Sequence, residues 1–177
     1  MKLKTRDMVI SGILGGIAIF LGQTGFGFIP LPTGINATIM HLPVIIGAVL
    51  EGPVVGTLVG LIFGLFSWIQ ARNPFFADPT ISVLPRLFIG IITYFSYQSL
   101  KRFNDHVAMA VAGVIGSLTN TVLVLGMIFL KGYMPFDAVV PIAFIHGIPE
   151  AIVAAIVTYF VCLGVKRARE LKFDGGN

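Results

Sequence analysis

Five ionisable side chains interrupt otherwise apolar text: His41, Glu51, Arg86, His146 and Glu150. In a membrane-length run such a group costs several kcal/mol, so each is by default a functional candidate. His146 and Glu150 stand four apart, which places them on one face of a helix. With His41 they would offer imidazole and carboxylate donors to a metal ion. No ligand motif joins them, and a polar pocket for an organic ligand is the alternative reading. Arg86 follows Pro85 directly. Its guanidinium is always charged and grips a carboxylate in a two-pronged fork. Two anions could answer it: Glu150, or one brought by a ligand. Asn120, between Thr119 and Thr121, adds an amide that both donates and accepts. Glu51 reads differently. It sits in a tight Glu51-Gly52-Pro53 turn, where a carboxylate caps the helix that follows.

These groups assemble no recognisable machinery of turnover. There is no GxxxxGK[ST] loop, so the chain does not hydrolyse ATP by a P-loop. Neither HExxH nor GxSxG occurs. An arginine ladder of the voltage-sensor kind is also absent. Binding, rather than catalysis, is the expectation.

The elements that must position these residues are apolar runs. The chain has 177 residues, 56% hydrophobic and only 11% charged, with mean hydropathy +0.94. Soluble domains carry about 25% charged residues, so this is an integral membrane protein, read as one domain over 1–177. A spanning helix takes about 20 residues, and the apolar runs predict a bundle of six. Their expected ranges are Asp7 to Gly22, Ala37 to Leu50, Pro53 to Ala71, Thr80 to Leu100, His106 to Leu130 and Ala138 to Val165. The third carries Gly56, Gly60 and Gly64, a four-residue spacing that bares one face for close packing in lipid. The start, MKLKTRDMVISGILGGIAIFLG, is basic then apolar like a secretory signal. No small-x-small cleavage site precedes the next apolar run, so a retained first helix is expected. Cys162, the single cysteine, lies in the last run and can form no internal disulfide.

Between the first two helices lies QTGFGFIPLPTGIN, Gln23 to Asn36, uncharged and rich in glycine, proline and phenylalanine. Such text makes neither a solvated loop nor a good helix. Non-helical backbone at a membrane surface is tolerated where it packs on protein or caps a cavity. A lid is expected there, with Phe26 and Phe28 as its aromatic contacts.

Charge sets the orientation. The net charge is +4, and the basic residues sit at helix ends rather than in a nucleic-acid patch. Lys2, Lys4, Arg6, Lys101, Arg102, Lys166, Arg167, Arg169 and Lys172 collect on one face, against Arg72 and Lys131 on the other. By the positive-inside rule both termini are cytoplasmic. The lid, His41, Arg86, His146 and Glu150 then fall towards the outer face, with Asn120 near the middle of the fifth helix.

Three segments carry a resemblance: MHLPVIIGAVLEGPVVGTLVGLIFG (Met40 to Gly64), GSLTNTVLVLG (Gly116 to Gly126) and HGIPEAIVAAIV (His146 to Val157). With the length and predicted topology, they resemble the substrate-binding S components of energy-coupling factor (ECF) transporters, the vitamin importers of prokaryotes. Asn120-Thr121 and Ile148-Pro149-Glu150 look most similar to the pantothenate type; the riboflavin type shares the fold but matches less well. The resemblance implies a six-helix membrane bundle in the prokaryotic plasma membrane. It implies tight vitamin binding without catalysis, in a site formed by helices four to six and the loop after helix one. It implies docking to a transmembrane T component and two ATPase subunits that use the ATP, with no cofactor or metal in this chain. In the family an Ala-x-x-x-Ala pattern on helix one contacts the T component; here Ser11/Gly15 and Gly12/Gly16 occupy such spacings without the alanines. The expected ligand set is Arg86 for a carboxylate, Asn120, His146 and Glu150 for hydroxyls and amides, and Asn36 and His41 as contributors. The rivals are an S component for another vitamin, a small membrane enzyme using His146 and Glu150, and a self-sufficient ion-coupled transporter.

Overall fold

The computed structural model describes residues 4–30 and 36–174, with side chains except at 28–30, 36–37 and 172–174. The apolar runs form helices because lipid offers the backbone no hydrogen-bond partner, and a helix satisfies itself. In order these are α1 (Thr5–Thr24), α2 (Leu42–Glu51), α3 (Pro53–Gln70), α4 (Pro79–Ser82), α5 (Leu84–Lys101), α6 (Asp105–Leu130) and α7 (Phe136–Asp174). Five spans are long and apolar enough to cross a membrane, with α4 and α5 counted as one, and α2 is a shorter apolar helix. The fold is the expected all-α membrane bundle.

Two expectations need correction. The second helix begins at Leu42, not Ala37, because residues before it enter a small antiparallel ribbon. Strand β1 (Phe28–Pro30) pairs with β2 (Asn36–Thr38) in the register Phe28↔Thr38, Ile29↔Ala37 and Pro30↔Asn36. The ten-residue α2 is therefore about 15 Å long, roughly half the hydrocarbon core. The fourth helix is also broken at Val83. Pro85, one residue into α5, has no N–H to continue the ladder, and its ring crowds the preceding turn.

Close backbone approach fixes where α5 sits. A Cβ on Gly60 would collide with the Arg86 carbonyl oxygen, and one on Gly90 with the Gly56 backbone. A Cβ on Gly64 would come within 2.9 Å of the Val83 Cα. The glycine row read from the sequence is thus the seam between α3 and the first turns of α5. Beneath it Leu42, Val44, Ile45, Val55, Val59, Phe63 and Ile89 form the main core, joined by Ala18 and Ala154.

At the end of the bundle that holds the α2–α3 turn, charges are paired across helices. Glu51 accepts from Arg6 of α1 at 2.7 Å and from Arg169 of α7. It ties three helices together rather than only capping α3, whose N-cap residue is Gly52. Gly52 has φ of 100°, a left-handed conformation open to glycine, and this turns α2 into α3. Asp105 accepts from Lys166 at 2.6 Å and from the Tyr97 hydroxyl at 2.5 Å.

Candidate functional site

At the opposite end, the bundle opens a cavity of about 550 Å³, within the roughly 300–1,000 Å³ common for small-molecule sites. Its floor and walls come from the ends of α1, α3 and α6 and the beginnings of α5 and α7. Phe63, Phe66, Phe75 and Phe76 make much of the wall, with Val124, Leu125, Ile128 and Ile142. The polar groups are few: Arg86, Asn120, Thr121, His146, Glu150 and Thr38, with Ser67, Gln70, Arg72 and Asn73 near the α3 end.

Arg86 is 4% exposed. The helix break explains its pose. Pro85 cannot donate to the carbonyl four residues back, and Arg86 Nη1 donates to that Ile81 oxygen instead, at 2.5 Å. The guanidinium carbon lies 5.4 Å from the Phe63 ring centre and 5.0 Å from that of Phe76, which hold its plane by cation–π attraction. Its Nε has no hydrogen-bond partner. Among the described residues Arg86 forms no ion pair, so the Arg86–Glu150 pair entertained from sequence is not made.

Glu150 is engaged elsewhere. Its Oε1 accepts from the Thr38 backbone N–H at 2.7 Å and from the Thr38 hydroxyl at 2.9 Å. Asn120 is buried, and its Oδ1 is an unpartnered acceptor. Thr121, the next residue, donates its hydroxyl to the Ser117 carbonyl at 3.3 Å. His146 is half-buried on the wall.

The structure therefore brings Arg86, Asn120, His146 and Glu150 into one cavity. His41 is not on the cavity lining: it is 1% exposed, just ahead of α2, with both ring nitrogens unpartnered. Phe26 is also off the lining, 72% exposed, and its ring stacks on Phe20 at 6.5 Å. The side chains of Asn36 and Phe28 lie outside the described residues. Trp68 donates to the Ala77 carbonyl at 3.1 Å, pinning the turn after α3 to that helix. Among the described residues no group of three or more His, Cys, Asp or Glu is placed to hold a metal.

Sequence reasoning did not find Thr38, Thr121 or the α3-end group as cavity residues. Arg72 is the most telling omission. It opens the loop after a predicted helix and reads as a topological charge, yet it lines the cavity and donates to Gln70 Oε1 at 3.3 Å. Off the lining, Asp78 pairs with Lys131 at 2.7 Å. The Lys131 and Thr80 donors pull its carboxyl down from 3.8 to about 2.

On α1 the two small-residue pairs diverge. Ser11 and Gly15 face inward; Ser11 is 3% exposed, and a Cβ on Gly15 would come within 2.7 Å of Ile62. Gly12 and Gly16 face outward with nothing near a would-be Cβ, flanked by exposed Val9, Ile13 and Ile17.

The family model for the ECF transporter substrate-specific component matches residues 6–162. The chain is 30% identical to the pantothenic acid transporter PanT of Lactococcus lactis subsp. cremoris (strain MG1363), over 95% of this chain and 97% of that protein. Its fold is similar to a solved structure described as the S component of a bacterial ECF transporter. There the TM-score is 0.59 at 19% identity, over 98% of this chain and 99% of the other.

Proposed function

This chain belongs to the substrate-specific components of ECF transporters and is a multi-pass membrane protein, and we propose that its cavity captures pantothenate. The observation that carries this reading is Arg86, a buried guanidinium lining a small-molecule cavity and forming no ion pair among the described residues. An unpaired buried charge is costly, and a ligand carboxylate would offset that cost while gaining a charge-assisted contact. Pantothenate brings one carboxylate, two hydroxyls and an amide. The carboxylate would pair with Arg86. Its hydroxyls or amide N–H would donate to Asn120 Oδ1, and His146 and Thr121 would complete the polar set. The phenylalanine walls exclude water and take the methyl groups. The name of the Lactococcus relative favours this vitamin over others of the family.

The chain binds and does not turn its ligand over. Transport falls to partners: a transmembrane T component and two ATPase subunits that hydrolyse ATP. The outward Gly12/Gly16 pair offers a face where another helix can approach α1 closely, and we assign the T-component contact to it rather than to Ser11/Gly15. The bias of lysine and arginine supports a topology with both termini in the cytoplasm of a prokaryotic cell and the cavity at the outer face.

Mass spectrometry of the small molecule released from gently purified, unsupplemented protein tests the substrate. Near-stoichiometric pantothenate is the expected result. A different vitamin at that level would overturn the substrate and keep the class.

A further inference from the structure

Glu150 is the one carboxylate among the described residues lining the cavity. For a site that takes an anion, a free carboxylate there would be repulsive. The geometry shows that it is not free: Oε1 takes two hydrogen bonds from a single residue, Thr38, 112 positions away in sequence. Thr38 ends strand β2 and sits opposite Phe28 in the ribbon. Beside the ribbon, the Gly27 N–H donates to the Leu21 carbonyl of α1, the Ile39 N–H donates to the Gly27 carbonyl, and the Ile39 carbonyl accepts from the Leu42 N–H of α2. Among the described residues, Thr38–Glu150 is thus the hydrogen-bonded tie between the β1–β2 segment and α7. It lies on the cavity wall rather than behind it, since both residues line the space.

We propose that Glu150 is a positioning residue: its carboxylate, held by the Thr38 N–H and hydroxyl, latches β2 onto α7 beside the cavity and so slows ligand escape. The inference rests on the pantothenate reading only for its ligand, and its structural half is testable without one.

The first measurement is hydrogen exchange of the Thr38 amide in purified, ligand-free protein. Glu150→Ala removes a charged acceptor, so it should speed exchange there by about tenfold or more and leave α6 amides unchanged. Glu150→Gln keeps an oxygen acceptor and should stay within about threefold of wild type. Thr38→Val keeps the amide and loses only the hydroxyl, so it should give an intermediate acceleration; it also serves if Glu150→Ala does not fold. Unchanged Thr38 exchange in Glu150→Ala, or in Thr38→Val where that variant stands in, overturns the latch. The second measurement is dissociation of radiolabelled pantothenate from loaded protein. The latch predicts release faster by about tenfold in Glu150→Ala, a smaller gain in Thr38→Val, and near-normal release in Glu150→Gln. If Glu150→Gln loses ligand as fast as Glu150→Ala while Thr38→Val matches wild type, Glu150 contacts the ligand by its charge and the positioning role is wrong. A wild type that holds no pantothenate would sink the substrate reading, and exchange at Thr38 would still decide the latch.

Discussion

At one end of the bundle Glu51 accepts from Arg6 and Arg169, and Asp105 accepts from Tyr97 and Lys166. At the other, Arg86 keeps an unpartnered Nε and Asn120 an unpartnered Oδ1 beside a cavity. Both ends place charge near lipid, but they resolve its cost differently. Where the chain supplies both partners, the charges staple helices together. Around Arg86 and Asn120 a space of ligand size remains, which a ligand's polar groups could answer. An unpartnered buried group is not enough by itself, since His41 is one and lies off the cavity; Arg86 and Asn120 stand out because they also line it.

Gly60→Ala should break the contrast most severely. Its Cβ would collide with the Arg86 carbonyl, so α3 and α5 must separate and Arg86 must move. We expect loss of ligand binding together with about 1–3 kcal/mol of destabilisation, read by titration and thermal melting. Retained binding would mean that the α3–α5 seam does not set the pose of Arg86. Asn120→Ala removes a carboxamide whose Oδ1 is an unsatisfied acceptor and which makes no hydrogen bond within the described chain. Pantothenate affinity should fall by roughly tenfold while the ligand-free melting temperature does not drop; a lower melting temperature would place Asn120 among the structural groups.

The paired end should behave in the opposite sense. Glu51→Gln should lower stability by roughly 1 kcal/mol, because Arg6 and Arg169 are exposed enough for water to replace part of the loss. Ligand affinity of the isolated chain should not change, and a weakened affinity would couple the two ends. The smallest effect concerns the surface pair Asp78–Lys131. The Asp78 carboxyl is lowered from 3.8 to about 2 in the folded chain. Its contribution is complete above pH 4 and is lost as pH falls through about 2. Melting curves of Asp78→Asn and wild type should differ at pH 6 and converge near pH 2; a constant gap would show that the charge is not what matters.

Much of the scaffold was legible because lipid leaves few choices. The apolar runs gave helices, and the spacing of Gly56, Gly60 and Gly64 gave a seam. Arg86, Asn120, His146 and Glu150 were legible as candidates because a polar group at membrane depth needs a reason. What each one meets was not. Thr38 and Glu150 are joined by the fold across 112 positions, and no local pattern encodes that. The break at Val83 had a signal in Pro85 that was outweighed by the apolar run continuing through it. The β1–β2 ribbon had none beyond glycine and proline content, which mark irregular backbone without specifying its pairing.

The central claim is that the unpaired Arg86 awaits a carboxylate. Calorimetric titration with pantothenate and with pantothenol, which carries an alcohol in place of the carboxylate, tests it most directly in wild type and Arg86→Gln. The account predicts that wild type prefers pantothenate by roughly 100-fold and that the preference vanishes in Arg86→Gln. Equal binding of the two ligands by wild type, or a preference that survives in Arg86→Gln, would contradict it.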